Sequence, residues 1–227
     1  MTGCRDRRHR HQGRRTYVAV LLLLLAGAAA VHAQDEPSQA STSTGPRGER
    51  VKAAAVFLAG GALALGMHEG GHLLFDGVFD ARPGVKRVSF GPMPFFAITH
   101  RDVPPGREFT IASAGFWVQH ATDEWLLTRR PGLRHESAPL ARGVLAFNVL
   151  ASAAYSGAAM AHAGPAERET RAMAATLGVD ERWVGGMLLA PALLDSWRYL
   201  RPGSRWATWS SRMAKIAIVM LAIRAAR

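Results

Sequence analysis

The chain has 227 residues, of which 48% are hydrophobic, and it carries a formal net charge of +11. This length suits one domain or one small helical bundle. The single cysteine, Cys4, excludes an intramolecular disulfide and a cysteine-rich zinc site. The charge does not indicate nucleic-acid binding, because six arginines lie in the first fifteen residues and most others flank apolar runs, where they set membrane topology.

Residues 1–33 are typical of an export signal. A basic segment that ends at Arg15 precedes an apolar run over 17–30, and Val31-His32-Ala33 resembles a small-x-small cleavage site. We therefore interpret residues 1–33 as a signal peptide. Residues 34–50 are rich in Ser, Thr, Pro and Gly and are predicted to form a flexible exported linker. This arrangement favours a bacterial source.

Residues 51–75 are predicted to form the first apolar helix, and they carry an HExxH motif from His68 to His72. Histidines four residues apart lie on one helical face, so their imidazoles can share one Zn²⁺, with Glu69 as base for the metal-bound water. The motif also occurs at helix ends that bind no metal. Its apolar setting favours metal binding, because ionisable groups inside a membrane are costly and usually functional.

Residues 83–100 change in character. Valines and phenylalanines alternate there with glycines and prolines, such as Gly91, Pro92 and Pro94. This composition predicts short extended strands with turns, a β-like segment associated with the membrane. We also expect the segment to pair with an extended substrate as an added strand.

The rest of the chain predicts further helices. Apolar runs cover 138–161, 183–200 and 206–223, whereas 109–127 is interrupted by polar residues and 165–177 is polar on one side. We predict an all-α polytopic membrane bundle of about four to five transmembrane helices after the signal peptide, with the β-like segment, in one domain over 51–227. The alternative is a soluble, alanine-rich helical protein. The predicted location is the bacterial inner membrane, with the linker exported.

The motif and the residues that follow it resemble the site-2 proteases, which are intramembrane zinc metalloproteases. Gly71 before the second histidine fits their first motif, and residues 84–92 (GVKRVSFGP) are similar to their membrane-associated β-like segment. Ala114-Gly115-Phe116 partly matches the small-residue element that follows in the family. Residues 191–196 (PALLDS) are similar to its second motif, which supplies the third zinc ligand. The resemblance covers roughly residues 51–200.

A catalytic zinc site normally has three protein ligands and a water. The resemblance implies that Asp195 is the third ligand, and the cost of an unpaired carboxylate in an apolar helix favours the same assignment. The alternative is an ion pair with Arg198, three positions on. Ligation places Asp195 at the depth of the histidines, which requires its helix to run parallel to the first helix. Parallel helices have one spanning helix between them and not two, so 109–127 would be re-entrant or interfacial. A full span there would argue against Asp195.

Other polar residues were weighed as members of the site. His120, Asp123 and Glu124 could supply a ligand or a partner for one, but the polarity of the segment favours a solvated face of an amphipathic helix. Asp76, four residues after His72, could orient its imidazole or lie at a solvated helix end. Asn148 is expected to form a hydrogen bond between helices.

The predicted function is that of a zinc-dependent intramembrane endopeptidase. His68, His72 and Asp195 would hold Zn²⁺, and Glu69 would act as general base. The predicted partners are the lipid bilayer and a membrane-protein or peptide substrate, without nucleic acid. Two alternatives stay open: a catalytically inactive membrane protein of the same fold that binds partners or substrates, and a soluble exported metalloprotein.

Overall fold

The computed structural model describes residues 46–90 and 93–225. The predicted signal peptide and most of the predicted linker lie outside the described residues. The described part of the chain contains six α-helices and one two-stranded sheet, which confirms the all-α prediction. The elements are α1 (Pro46–Val78), β1 (Gly84–Phe90), β2 (Met93–Thr99), α2 (Pro105–Arg129), α3 (Pro139–Met160), α4 (Glu169–Leu177), α5 (Glu181–Leu200) and α6 (Arg205–Ala225).

Several helix ends have local causes in the sequence. Pro105 and Pro139 occupy the first turns of α2 and α3, where a missing N–H costs nothing. Gly178 ends α4 with a φ of 64°. Asp180 caps α5, because its side chain accepts a hydrogen bond of 2.8 Å from the Arg182 N–H. These helices therefore begin and end within a few residues of the predicted positions.

The number of membrane spans differs from the prediction. Among the described residues, two helices are long and apolar enough to cross a bilayer: α1, over Arg47–Val78, and α3. The predicted bundle of four to five spans is not supported by this criterion. Charged residues within α2, α5 and α6 lower their average hydropathy.

Glycines allow α1 and α3 to pack in direct backbone contact. A Cβ added at Gly143 would lie 1.9 Å from the carbonyl oxygen of Phe57, and one added at Gly60 would lie 2.2 Å from that of Leu140. No side chain fits between the helices at this crossing. The contact fixes the depth at which the HExxH residues of α1 lie against the rest of the bundle.

Helix α2 lies at the centre of the molecule. Its first half packs against α4 and α5 through a cluster that includes Phe109, Phe116 and Met173. Its second half packs against α1 and α3 through Leu126 and Leu127. The polar residues of α2 are interior rather than on a solvated face, and buried polar groups require partners within the protein. Of the three residues of α2 that the sequence offers for the site, His120 and Asp123 are buried and Glu124 is half-buried.

The hairpin β1–β2 forms where the composition predicted extended strands. The strands pair antiparallel, with Gly84 opposite Thr99 and Val88 opposite Phe95. An ion pair between Lys86 of β1 and Glu167 ties the hairpin to the segment that leads into α4. The hairpin therefore lies over the same region of the molecule as the start of α4.

Candidate metal centre

Three donor atoms converge between α1 and α4. The Nε2 atoms of His68 and His72 are 3.2 Å apart, and Glu169 Oε1 lies 3.4 Å from the first and 3.2 Å from the second. Zinc–nitrogen and zinc–oxygen bonds of about 2.0–2.2 Å place the corners of a tetrahedron roughly 3.3–3.6 Å apart. The spacing therefore fits three protein ligands of one tetrahedral metal ion, with a fourth position left over.

The protonation of His72 is set by the backbone of α2. Its Nδ1–H donates a hydrogen bond of 2.7 Å to the carbonyl oxygen of Ile111, which leaves the Nε2 lone pair directed at His68 and Glu169. The carbonyl of Ile111, rather than Asp76, thus orients this imidazole. Lone pairs that point at one another repel unless a proton or a cation lies between them, so the donor set suits a metal ion.

The position of His68 depends on a glycine of α2. A Cβ at Gly115 would lie 2.5 Å from His68 Cε1, and one at Gly71 would lie 2.9 Å from the carbonyl oxygen of Ala114. The Phe116 ring meets the His68 imidazole edge-on, with centroids 5.2 Å apart. The Ala-Gly-Phe element therefore forms the surface against which the HExxH turn packs.

Glu169 is placed by the network around the start of α4. Arg168 donates two hydrogen bonds, of 2.7 and 2.6 Å, to the carboxylate of Glu181, and Thr170 Oγ1 donates one of 2.6 Å to the same group. These contacts on either side of Glu169 fix the N-terminus of α4 to α5. Glu169 itself is the first residue of α4, where the helix dipole favours a carboxylate.

The charge of Glu169 follows from its neighbours. Burial raises the pKa of its carboxyl, but the His68 and His72 imidazoles and their hydrogen bonds outweigh burial and hold the pKa well below its usual range. Glu169 is therefore a carboxylate at neutral pH. Two imidazoles and one carboxylate form a donor set that catalytic zinc sites use.

The structure does not bring Asp195 to the histidines. Asp195 Oδ1 instead accepts hydrogen bonds from Ser211 at 2.6 Å, Lys215 at 3.0 Å and Arg198 at 3.3 Å. Glu181, beside the metal centre, and Asp195 are fourteen residues apart on α5, which corresponds to about 21 Å along the helix. The alternative pairing with Arg198 is thus present, together with a pairing with Lys215 that the sequence did not indicate.

Helix α2 separates the surroundings of Asp195 from the metal centre along its length. It is an unbroken helix of 25 residues, which corresponds to about 37 Å, rather than a re-entrant turn. His68 packs on Gly115, whereas the charged groups around Asp195 gather at Glu124, about 13 Å further along α2. A second cluster of polar residues therefore lies at a different depth from the metal centre.

We refer to this second cluster as the ion network. Glu124 of α2 accepts a hydrogen bond of 2.7 Å from Arg212 and pairs with Arg198 and with Lys215, the latter at 3.2 Å. The network joins α2, α5 and α6 and consists of Glu124, Asp195, Arg198, Ser211, Arg212 and Lys215. Glu124 is thus occupied by cations rather than placed at the metal centre.

Two further polar residues of α2, Asp123 and His120, also lie outside the metal centre. Asp123 accepts a hydrogen bond of 2.7 Å from the side chain of Asn148 on α3, which confirms the interhelical bond expected for Asn148. His120 is buried on α2 and does not belong to the three converging groups. Neither Asp123 nor His120 takes the place of the third ligand.

A cavity of about 420 Å³ opens beside the three donor atoms. Its walls are mainly apolar, and Glu69 faces it next to both imidazoles. The apolar lining comes from α1 (Leu65), α2 (Ile111 and Ala112), α3 (Phe147, Ala151, Ala154 and Ala158), the region of α4 (Pro165 and Ala172) and the hairpin (Val88, Phe96, Ala97 and Ile98). A metal position with a free corner, an adjacent carboxylate and an apolar chamber together suit the hydrolysis of a bound substrate.

Glu169 was missed by reasoning from the sequence. It lies about a hundred residues from the histidines, in a polar segment that also contains Glu167 and Glu181. The available indication was chemical, since two histidines and a glutamate are a known zinc donor set. Nothing in the spacing singled out this glutamate among its neighbours.

Comparison with known proteins gives no relative for this chain. No family model matches it, and neither a curated protein nor a solved structure does so. The geometry of the metal centre is therefore the basis for any proposal about function.

Proposed function

We propose that the protein is a membrane-embedded, zinc-dependent endopeptidase. The observation that carries the proposal is the tetrahedral spacing of His68, His72 and Glu169 beside Glu69 and the apolar cavity. The HExxH motif and the hairpin after it resemble the site-2 proteases, but we propose Glu169 as third ligand in place of Asp195. This donor set has the composition of known hydrolytic zinc sites.

The residues of the cavity have distinct roles in the proposed reaction. When bound, zinc would polarise the scissile carbonyl and lower the pKa of a coordinated water to about 7. Glu69 accepts the proton of the attacking water and passes it to the leaving amine. The apolar walls exclude bulk water and hold the substrate by its side chains.

The hairpin gives the substrate a surface on which to extend. Val88 and Phe96 line the cavity, and within the described part of the chain each strand of the two-stranded sheet has one edge without a strand partner. A helical substrate hides its carbonyls in its own hydrogen bonds and must unwind before cleavage. Pairing with a strand edge would stabilise that extended form.

The orientation of α5 supports a location in the membrane. Its large apolar residues Leu193 and Trp197 are 59% and 51% exposed, whereas Asp195 is fully buried. In water, a helix stabilises the fold by burying its apolar face, so a protein in water would bury Leu193 and Trp197 and expose Asp195. Contact with lipid explains it, because acyl chains solvate the apolar side chains and the charges pair inside.

Helix α6 shows the same orientation. Ile216 and Met220 are exposed while Lys215 is buried in the ion network, and Trp206 and Trp209 lie exposed near the start of the helix. Tryptophans at a helix end suit the membrane–water interface. We therefore propose that α5 and α6 contact lipid together with α1 and α3, in the inner membrane of a bacterium, with the segment before α1 exported.

The test is the zinc content of the detergent-purified full chain. We expect about one zinc per chain in the wild type and in Asp195→Asn, and loss of zinc in His72→Ala and Glu169→Ala. The two acidic variants are a matched pair, because both remove a carboxylate from the interior of the bundle. Loss of zinc with Asp195→Asn but not with Glu169→Ala would overturn the assignment of the third ligand.

Activity is then tested on a membrane-spanning reporter peptide in detergent or liposomes. Glu69→Gln should keep the zinc and lose about 10²- to 10⁴-fold in kcat, as expected for removal of a general base. A wild type without zinc would favour the inactive, partner-binding alternative. Release of the protein from membranes by carbonate, without detergent, would favour the soluble one.

A further inference from the structure

Tyr155 of α3 is held against the metal centre by three contacts. Its hydroxyl donates a hydrogen bond of 3.2 Å to Glu169 Oε1. Its ring stacks on the His68 imidazole, with centroids 6.0 Å apart and planes at 25°, and meets the Phe116 ring edge-on at 5.2 Å. The phenol is therefore fixed in position before any substrate binds.

The hydroxyl lies within reach of a substrate oxygen at the metal. It is 3.2 Å from Glu169 Oε1, and a ligand oxygen lies about 2 Å from zinc, so the hydroxyl is at most about 5 Å from the metal position. A carbonyl oxygen at the free corner of the tetrahedron would itself be about 2 Å from the metal. The two oxygens would then be at most about 7 Å apart, and they come within hydrogen-bond distance when the free corner points toward α3.

The other polar groups of the cavity are less suited to stabilise negative charge. Tyr155 is the one hydroxyl among the described residues that line the cavity, and Glu69 and Glu167 are acids, which would repel an oxyanion. Arg168 is committed to the carboxylate of Glu181, and the His100 ring donates to the carbonyl oxygen of Arg101. Gln119 also lines the cavity with a neutral amide, but that amide forms no hydrogen bond to the metal centre, whereas the Tyr155 hydroxyl bonds to Glu169. Tyr155 is therefore the neutral donor that is held at the metal centre.

We infer that the Tyr155 hydroxyl stabilises the oxyanion that forms on the substrate carbonyl. The inference rests on the proposed peptidase function and adds a catalytic residue to it. Tyr155 forms and breaks no covalent bond: its O–H remains intact, and its hydrogen bond moves from Glu169 Oε1 to the substrate oxygen. That bond strengthens as charge develops on the oxygen, so it lowers the barrier rather than the energy of the bound substrate.

The test compares Tyr155→Phe with Tyr199→Phe, which removes a hydroxyl from a tyrosine on α5 that packs against the other core cluster. In the zinc-loaded full chain, we expect Tyr155→Phe to lower kcat about 10²- to 10³-fold with little change in KM. Affinity for a phosphinic peptide, which mimics the tetrahedral intermediate, should fall in step with kcat/KM. Tyr199→Phe should leave all three quantities unchanged.

Two results would overturn the inference. Tyr155→Phe could be as active as the wild type, or it could lose zinc affinity and recover full kcat at saturating zinc, which would mean that Tyr155 only positions Glu169. In both cases the wild type is an active zinc enzyme and the proposed function stands. The proposed function would instead fail if the wild type bound no zinc, or if it had no activity that Glu69→Gln abolishes. This inference would then fail with it.

Discussion

The metal centre and the ion network are two buried polar clusters in one helical bundle, and they differ in their supply of cations. In the ion network, Glu124 and Asp195 face Arg198, Arg212 and Lys215, so the carboxylates are paired by side chains. In the metal centre, two imidazoles and a carboxylate converge without a lysine or arginine among the three groups. In the ion network every carboxylate has a cationic side chain as partner, whereas the metal centre has a place for a metal ion.

The two clusters show what can be inferred from a carboxylate in an apolar helix. Such a group needs a partner, because an unpaired buried charge is costly. Asp195 finds that partner in Lys215, at 2.8 Å, whereas Glu169 lies against two histidine nitrogens. The cost of burial therefore predicts that a partner exists but not whether it is a side chain or a metal.

The largest effect should come from breaking the ion network. Lys215→Met removes the cation that lies 2.8 Å from the buried Asp195 carboxylate and should lower the free energy of unfolding by about 3–5 kcal/mol. Zinc content should stay at the wild-type level under conditions where the variant is folded. Denaturant titration in mixed micelles, with zinc analysis of the same sample, measures both.

Arg201→Met is the matched control, since Arg201 is exposed at the end of α5. It should change the stability by no more than about 0.5 kcal/mol. If Lys215→Met lost zinc while its stability was unchanged, the two clusters would be one site and the contrast between them would fail.

A smaller effect is expected from displacing one ligand. Gly115→Ala places a methyl group 2.5 Å from the present position of His68 Cε1, so the imidazole must move. We expect the affinity for zinc to fall about 10- to 100-fold, as for other losses of support around a ligand. Competition with a chromogenic chelator measures this affinity.

Gly157→Ala provides the control for this variant, because a Cβ there meets nothing within 4 Å. It should bind zinc as the wild type does. Unchanged zinc affinity in Gly115→Ala would show that His68 is not held at the metal by its contact with α2.

The smallest effect concerns the contacts that place Glu169. Glu181→Gln replaces the charged acceptor of Arg168 and Thr170 and should loosen the N-terminus of α4. We expect a loss of roughly tenfold in zinc affinity, since the ligand itself remains. Arg171→Gln, an exposed change on the same helix, should have no measurable effect. An equal loss in both variants would point to a general effect of charge rather than to the position of α4.

Much of the secondary structure follows from local chemistry. Pro139 and Gly178 mark a helix start and a helix end because they suit the backbone conformations found there. The glycines and prolines of 83–100 interrupt helical periodicity, and the hairpin forms in that segment. The interior polar residues of α2 were harder to place, because hydropathy alone does not distinguish a solvated face from a buried one with partners in other helices.

The pairing of His68 with His72 was decided by the sequence alone, because residues four apart on a helix share a face whatever surrounds them. The placement of Glu169 rather than Asp195 beside the histidines is decided only in the tertiary structure. It depends on Glu181 fixing the start of α4 beside the histidines and on α6 delivering Lys215 to Asp195. Contacts between residues so far apart in the chain follow from how helices pack, and no local pattern encodes that packing.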